Sequence, residues 1–157
     1  MPSPPGQSPE IRALTQRECT ALLGRHSVGR IAFTFHDRVD IQPLNYVYEA
    51  GWIYGRTSDG GKLATLAHHP WVAFEVDEVR GPFDWASVVV HGSFHPLDPD
   101  RWQADAAVEA RTLSLLRQLV PETFTPDDPA PARNVLFRIA VGDMTGRAAT
   151  PGGGEPA

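Results

Sequence analysis

Cys19 is the only cysteine in the 157-residue chain, so neither an intrachain disulfide framework nor a multi-cysteine zinc site can form. That scarcity fits a reducing compartment, and the residue reads as a small buried apolar side chain rather than a reactive thiol. Basic residues are also in deficit: 14 Lys and Arg against 19 Asp and Glu give a formal charge of −5. This argues against a general nucleic-acid binder, because such proteins displace counterions with a surplus of cations, and leaves room only for local basic sites. No hydrophobic run approaches the length of a membrane span, so no membrane partner is expected. The opening "MPSPPGQSPE" lacks a basic stretch followed by an apolar one, does not read as a signal peptide, and leaves the cytoplasm as the expected compartment.

Two nucleotide motifs are missing as well. In "IYGRTSDGGKLATL", Gly55 and the Gly61-Lys62 pair are one residue too far apart for a phosphate-binding P-loop. Leu63 stands where that loop needs a magnesium-binding hydroxyl. No Gly-x-Gly-x-x-Gly occurs either, which removes the usual dinucleotide fingerprint. The stretch still suits an anion. Arg56 can pair with two oxygens, Thr57 and Ser58 offer hydroxyls, Lys62 a point charge, and a helix starting near Gly61 free amides, so one monophosphate would satisfy them all. The alternative is a polar turn capped by Ser58 or Asp59, with Arg56 and Lys62 solvated.

What is present is an ordinary globular composition, 41% hydrophobic and 21% charged, with 15 Pro and 14 Gly, more than usual, much of the excess sitting at the two ends. Residues 1–10 and 148–157 read as disordered tails around one folded domain over 11–147. Thr15 and Glu18 form a helix-start signature, flanked by Leu14 and Cys19, for a short helix to about Arg25. "VGRIAFTF" alternates as a half-buried strand, "HDR" is a hairpin turn, and Pro43 puts the return strand "DIQPLNYVYE" at an edge or a bulge. "GWIYGRT", "WVAFEVDEV", "WASVVVHGSFHPL" and "NVLFRIAVGDMTGR" complete the strands, and "KLATLAHH" is a short helix. A long amphipathic helix, capped by Asp98-Pro99, runs from Trp102 through Leu116 to near Pro121. Without βαβ alternation, an antiparallel barrel or sheet of about six strands with helices outside is the expected fold.

The remaining candidates are bland. His91 and His95 would sit roughly 13 Å apart on one strand face and could not share a metal unless the strand ends between them. His68 and His69 fall at a helix end, where they can meet the last carbonyls. Asp77, Glu78 and Asp84 near Arg80 read as a solvated loop, and no catalytic triad or paired-carboxylate spacing is identifiable. The tryptophans at 52, 71, 85 and 102 read as core or interface residues.

Taken in order, "LTQRECTALLGRHSVGRIAF", "IQPLNYVYEAGWIYGRTSDGGKLATL", "HHPWVAFEVD" and "WASVVVHGSF" resemble the pyridoxamine 5′-phosphate oxidase-like flavoproteins. This is the FMN-binding split-barrel family, and the match is to its small actinobacterial type related to nitroimidazole-resistance proteins. The resemblance covers Leu14 to Leu97, and "FRIAVGDMTGR" more loosely. It implies a mainly β fold, a six-stranded antiparallel split barrel with flanking helices, and a homodimer with FMN at the interface. Gln42, Pro43, Leu44, Asn45, Tyr46 and Val47 would run along the flavin ring, and Arg56, Thr57, Ser58 and Lys62 would hold its phosphate. Ser87 would present a polar side chain to the flavin, and Trp85 and Arg147 would reach the partner's flavin. No metal site is implied.

The activity implied is reduction or oxidation of a small molecule by the flavin. Pyridoxamine phosphate oxidase activity itself is not expected, since the family's Arg and His near the C-terminus have no histidine counterpart in "VGDMTGRAATPGGGEPA". Competing expectations are an F420-dependent reductase, whose long acidic tail calls for a more basic groove, and a non-catalytic protein that stores or senses flavin or heme. A cofactor-free dimer is a third.

Overall fold

The computed structural model describes residues 8–58 and 60–152. In chain order the elements are β1 (Glu10–Ala13), α1 (Gln16–Arg25), β2 (Val28–Phe35), β3 (Arg38–Asn45), β4 (Val47–Glu49), β5 (Trp52–Thr57), α2 (Gly61–His68), β6 (Trp71–Gly81), β7 (Asp84–Pro96), α3 (Asp105–Leu119) and β8 (Val135–Thr150). One antiparallel eight-stranded sheet has the order β3-β2-β6-β7-β8-β5-β4, with β1 added on β8. The sheet curls until β3 lies against β5, although the two are not hydrogen-bonded neighbours. That open seam makes the barrel split, and the candidate site forms along it.

The mainly β fold is as expected, with eight strands in place of about six. One extra strand is β1, drawn from a segment with little apolar content because β8 offers it a ladder from Ala13↔Arg147 to Glu10↔Thr150. The folded unit therefore takes in Glu10 and residues 148–150, which composition assigned to the tails; residues 1–7 and 153–157 lie outside the described residues. The other extra strand arises because "DIQPLNYVYE" breaks at Tyr46 into β3 and β4.

Local signals explain most elements. The Thr15 hydroxyl accepts from the amide of Glu18 at 3.1 Å, and the Glu18 carboxylate accepts from the amide of Thr15 at 3.1 Å, a reciprocal capping box that starts α1. His36 and Asp37 both take the left-handed conformation, with φ of 49° and 59°, closing the tight β2–β3 hairpin without glycine. Pro43 sits on β3, an edge strand, where its missing N–H costs no ladder bond. Asp98 and Pro99 make only a turn, in which Asp98 Oδ1 accepts from the amide of Arg101. The long helix starts at Asp105 instead, leaving Trp102 58% exposed rather than on the apolar face.

The core fills the barrel with Leu22, Leu23, Ile31, Phe33, Ile53, Phe74, Val90, Phe137 and Ile139, all at most 4% exposed. Each such side chain contributes about 1.5–3 kcal/mol by leaving water. Cys19 is fully buried in this cluster as expected, and burial pushes its thiol pKa up. It meets β8 at Gly146, where a Cβ would lie 2.7 Å from its Sγ. A smaller cluster of Leu97, Leu116 and Leu136 seats α3 on the outside of the barrel. Among the described residues no helix is long and apolar enough to cross a membrane.

Candidate functional site

β5 ends at Thr57, and α2 begins four residues later at Gly61. The crossing brings Thr57, Ser58 and Lys62 against Gln42, Pro43 and Leu44 of β3, around a cavity of about 250 Å³ that Arg133 also lines. Lys62 stands in the first turn of α2, where the helix amides point toward its N-terminus. Its Nζ donates to Gln42 Oε1 at 2.6 Å and lies 6.0 Å from the Phe33 ring. No aspartate or glutamate lines this cavity among the described residues; Asp59 lies outside them. A cation, two hydroxyls, a side-chain amide and an apolar wall at Leu44 suit one oxyanion attached to a less polar body.

Of the residues expected to hold that oxyanion, Thr57, Ser58 and Lys62 come together and Arg56 does not. Side chains alternate along β5, so Arg56 faces away from Thr57. Its guanidinium donates to both oxygens of Asp128, at 2.6 and 2.7 Å, and to the carbonyl of Arg133 at 3.4 Å. Both side chains of the pair are nearly enclosed, 11% exposed for Arg56 and 3% for Asp128. Those bonds hold the Asp128 carboxyl well below the usual carboxylate range, and the amides of Ala130 and Phe124, which donate to it as well, add to the effect.

The Asp128 carboxylate thus fixes the proline-rich segment between α3 and β8, and that segment delivers Arg133 to the cavity. Sequence reading passes over both residues. The only local signal is a basic side chain two positions before Val135, which pairs in register with Thr57. Gly55, at the head of the phosphate-like stretch, serves packing: a Cβ there would lie 2.6 Å from the Phe137 ring.

The run expected along a ring divides in two. Pro43 and Asn45 are exposed on the outer face of β3, whereas Leu44 and Tyr46 are buried. Tyr46 packs edge-on against Phe74, with ring centroids 5.0 Å apart, and donates its hydroxyl proton to the carbonyl of Leu23 at 2.7 Å; burial pushes its pKa up. Its side chain therefore cannot face a ligand, and Val47 packs with the α3 cluster. Tyr46→Phe is expected to cost about 1–2 kcal/mol in a denaturant titration, because the Leu23 carbonyl is left without its donor.

Ser87 and Arg147 are register partners on β7 and β8, and Trp85 lies one outward position along β7, opposite Ala149. None of the three lines the Lys62 cavity within this chain. The Ser87 hydroxyl donates to Glu75 Oε2 at 3.1 Å. Burial and the neighbouring Asp77 carboxylate raise the Glu75 pKa, against the hydrogen bond from Ser87 and the charge of Arg30. Glu78, expected in a solvated loop, is instead clasped by Arg25 at 2.5 Å and His26 at 2.6 Å, and Arg25 foremost lowers its pKa to about 2. His91 pairs with Asp143 at 3.6 Å, and His95 shares a hydrogen bond with Ser93 at 2.8 Å. No group of metal-ligating side chains converges among the described residues. The larger cleft of about 470 Å³ lies on the outward row Ala32, Ala73, His91 and Asp143, beside Trp71 and Val39. It lacks the convergent cations of the smaller cavity.

The profile of a family described as pyridoxamine 5′-phosphate oxidase matches residues 15–148. A crystal structure of an FAD-binding protein from Mesorhizobium loti superposes with a TM-score of 0.71 at 28% identity, covering 89% of this chain and 98% of that one. An uncharacterized protein of Rhizobium meliloti is 25% identical over 150 residues, 90% of this chain and 97% of the relative. The structure of an FAD and heme binding protein from Mycobacterium smegmatis superposes with a TM-score of 0.64, over 90% of this chain and 75% of that one. At 15% identity that last likeness shows the fold alone.

Proposed function

The chain belongs to the pyridoxamine 5′-phosphate oxidase family, and on that premise we propose that it binds a flavin nucleotide, with the phosphate end in the Lys62 cavity, and acts as an oxidoreductase on a small molecule. One observation carries the reading: in a chain of net charge −5, Lys62, Thr57, Ser58 and Gln42 converge on one concavity at the barrel seam. Lys62 supplies the charge, the two hydroxyls donate to phosphate oxygens, and Gln42, released from Lys62, offers its amide to the sugar-like chain. The flavin itself supplies the electron and hydride chemistry.

A cavity of about 250 Å³ takes the phosphate and the chain attached to it, so the ring lies outside, along the exposed Pro43 and Asn45. A second copy of this chain is proposed to cover it, bringing its own Trp85, Ser87 and Arg147 toward the ring. Supporting this, Val39, Ile41 and Trp71 are large apolar side chains between 62% and 80% exposed, and Val39 and Trp71 line one cleft on the outer face of the sheet.

The test is a titration of the purified chain with riboflavin, FMN, FAD, F420 and heme, followed by flavin fluorescence, the heme Soret band and melting temperature. A phosphate-bearing flavin is expected to bind at least about tenfold more tightly than riboflavin, the worth of one charge-assisted contact. The reading fails if no flavin binds, or if riboflavin binds equally well.

A further inference from the structure

We propose that Glu75 is a positioning residue: by taking the one proton of the Ser87 hydroxyl, it leaves Ser87 able to accept a hydrogen bond from a ligand but not to donate one. This rests on the reading that a second copy brings its Ser87 to a flavin ring, and it assigns the ring atom that Ser87 meets.

The residues form one outward patch on three neighbouring strands. Arg30 of β2 is the register partner of Glu75 on β6, Asp77 follows two residues on along the same face, and Ser87 of β7 is the register partner of Asp77. The two oxygens of Glu75 are divided between its neighbours. Oε1 accepts from Arg30 Nη1 at 3.3 Å, and Oε2 accepts from Ser87 Oγ at 3.1 Å. The same Arg30 nitrogen lies 3.4 Å from Asp77 Oδ2, so one guanidinium serves two carboxylates. Across from Glu75 on β7 stands Val89, without charge, and Arg147 lies one strand further, opposite Ser87.

A serine hydroxyl has one proton and two lone pairs, and a carboxylate can only accept. While Glu75 is ionised, the Ser87 proton is committed to it, and only lone pairs remain for a ligand. The oxidised flavin ring offers carbonyl oxygens and bare ring nitrogens as acceptors, and a single donor, its imide N–H. A Ser87 that can only accept therefore has one ring atom to bind, and a carbonyl in that place would set two acceptors face to face.

The sense reverses when Glu75 takes up a proton, because the carboxyl then donates to Ser87 and frees the hydroxyl proton. Burial foremost, and then Asp77, raises the Glu75 pKa against the effects of Ser87 and Arg30. The reversal accordingly falls above the ordinary carboxyl range.

The experiment titrates full-length wild type, Ser87→Ala and Glu75→Gln with FMN and with N3-methyl-FMN, which lacks the imide proton, from about pH 4 to about pH 8. The ratio of the two affinities cancels the titration of the phosphate they share. In the wild type FMN is expected to bind about tenfold more tightly than N3-methyl-FMN at the upper end, with the preference shrinking as pH falls through the Glu75 titration. A steric objection to the methyl group would not vary with pH. In Glu75→Gln the ratio is expected to be independent of pH, and in Ser87→Ala to stay below about threefold throughout. Followed by carbon NMR without ligand, the Glu75 carboxyl is expected to titrate higher in Ser87→Ala than in the wild type, and lower in Asp77→Asn. A wild-type ratio that does not change with pH, or a Glu75 titration that Ser87→Ala leaves in place, overturns the proposal and leaves the flavin reading standing. If neither flavin binds at any pH, the flavin reading falls and the assignment of the ring atom falls with it.

Discussion

Replacing Lys62 with alanine is expected to raise the dissociation constant of phosphate-bearing flavins about 10- to 100-fold while leaving riboflavin unaffected, since a charged hydrogen bond contributes about 1.5–3 kcal/mol. The selectivity follows from where Lys62 stands. Its Nζ is carried by the first turn of α2 and held by Gln42 Oε1 at 2.6 Å, at the wall of the cavity that Thr57 and Ser58 share. The folded chain has little to lose with it: Lys62 is half-buried and is the charged partner of a single amide oxygen. Stability without ligand should therefore change by well under about 1 kcal/mol. Lys62→Arg should bind more weakly than wild type despite its charge, because the longer planar fork does not occupy a point-charge position. The affinity of the wild type should fall with added salt, and that slope should flatten in Lys62→Ala. A fluorescence titration of riboflavin, FMN and FAD against each variant checks all of this, and an equal loss for riboflavin removes the phosphate from the argument.

The start of α1, strand β2 and the edge position of β3 were legible because their determinants are local. Thr15 and Glu18 lie three residues apart, the 28–35 alternation is short-range, and Pro43 marks an edge by its own chemistry. Lys62 was legible for the same reason, as a residue just inside a helix start after a turn. The errors have a different origin. The run from Gln42 to Val47, expected to lie along a flavin ring through its main-chain groups with Asn45 and Tyr46 facing it, cannot turn both of those adjacent side chains to one ligand, because the period-two rule sends Leu44 and Tyr46 inward while Pro43 and Asn45 point out. The sequence contained that correction. It did not contain the fate of Arg56, because its partner Asp128 is 72 residues away and nothing local joins a strand arginine to an aspartate in a proline-rich loop. Arg133 was hidden by the same separation, since only the closed β5–β8 ladder shows that it stands beside Thr57 and Ser58.

Asp128→Ala is expected to be the most destabilising of these changes, lowering the melting temperature by on the order of 10 °C. The aspartate accepts two hydrogen bonds from Arg56 and one each from the amides of Phe124 and Ala130. Its loss leaves the Arg56 guanidinium enclosed without a counter-charge, and two amides without acceptors. Breaking a buried pair from one side is costlier than removing both partners, so Arg56→Leu combined with Asp128→Ala should recover part of the loss. If the double variant is instead destabilised by the sum of the two single effects, the two residues do not act as a pair.

The pH dependence has a definite sign. Because the folded carboxyl titrates below its unfolded value near 4, the stability it contributes is complete above that value and disappears as pH falls through the folded value. Wild type and Asp128→Ala should therefore differ fully at neutral pH and converge only in strong acid. Asp128 forms no part of the cavity lining, yet it holds the segment that carries Arg133. Measured at a temperature where Asp128→Ala remains folded, the affinity for phosphate-bearing flavins should fall with it, while riboflavin should change little.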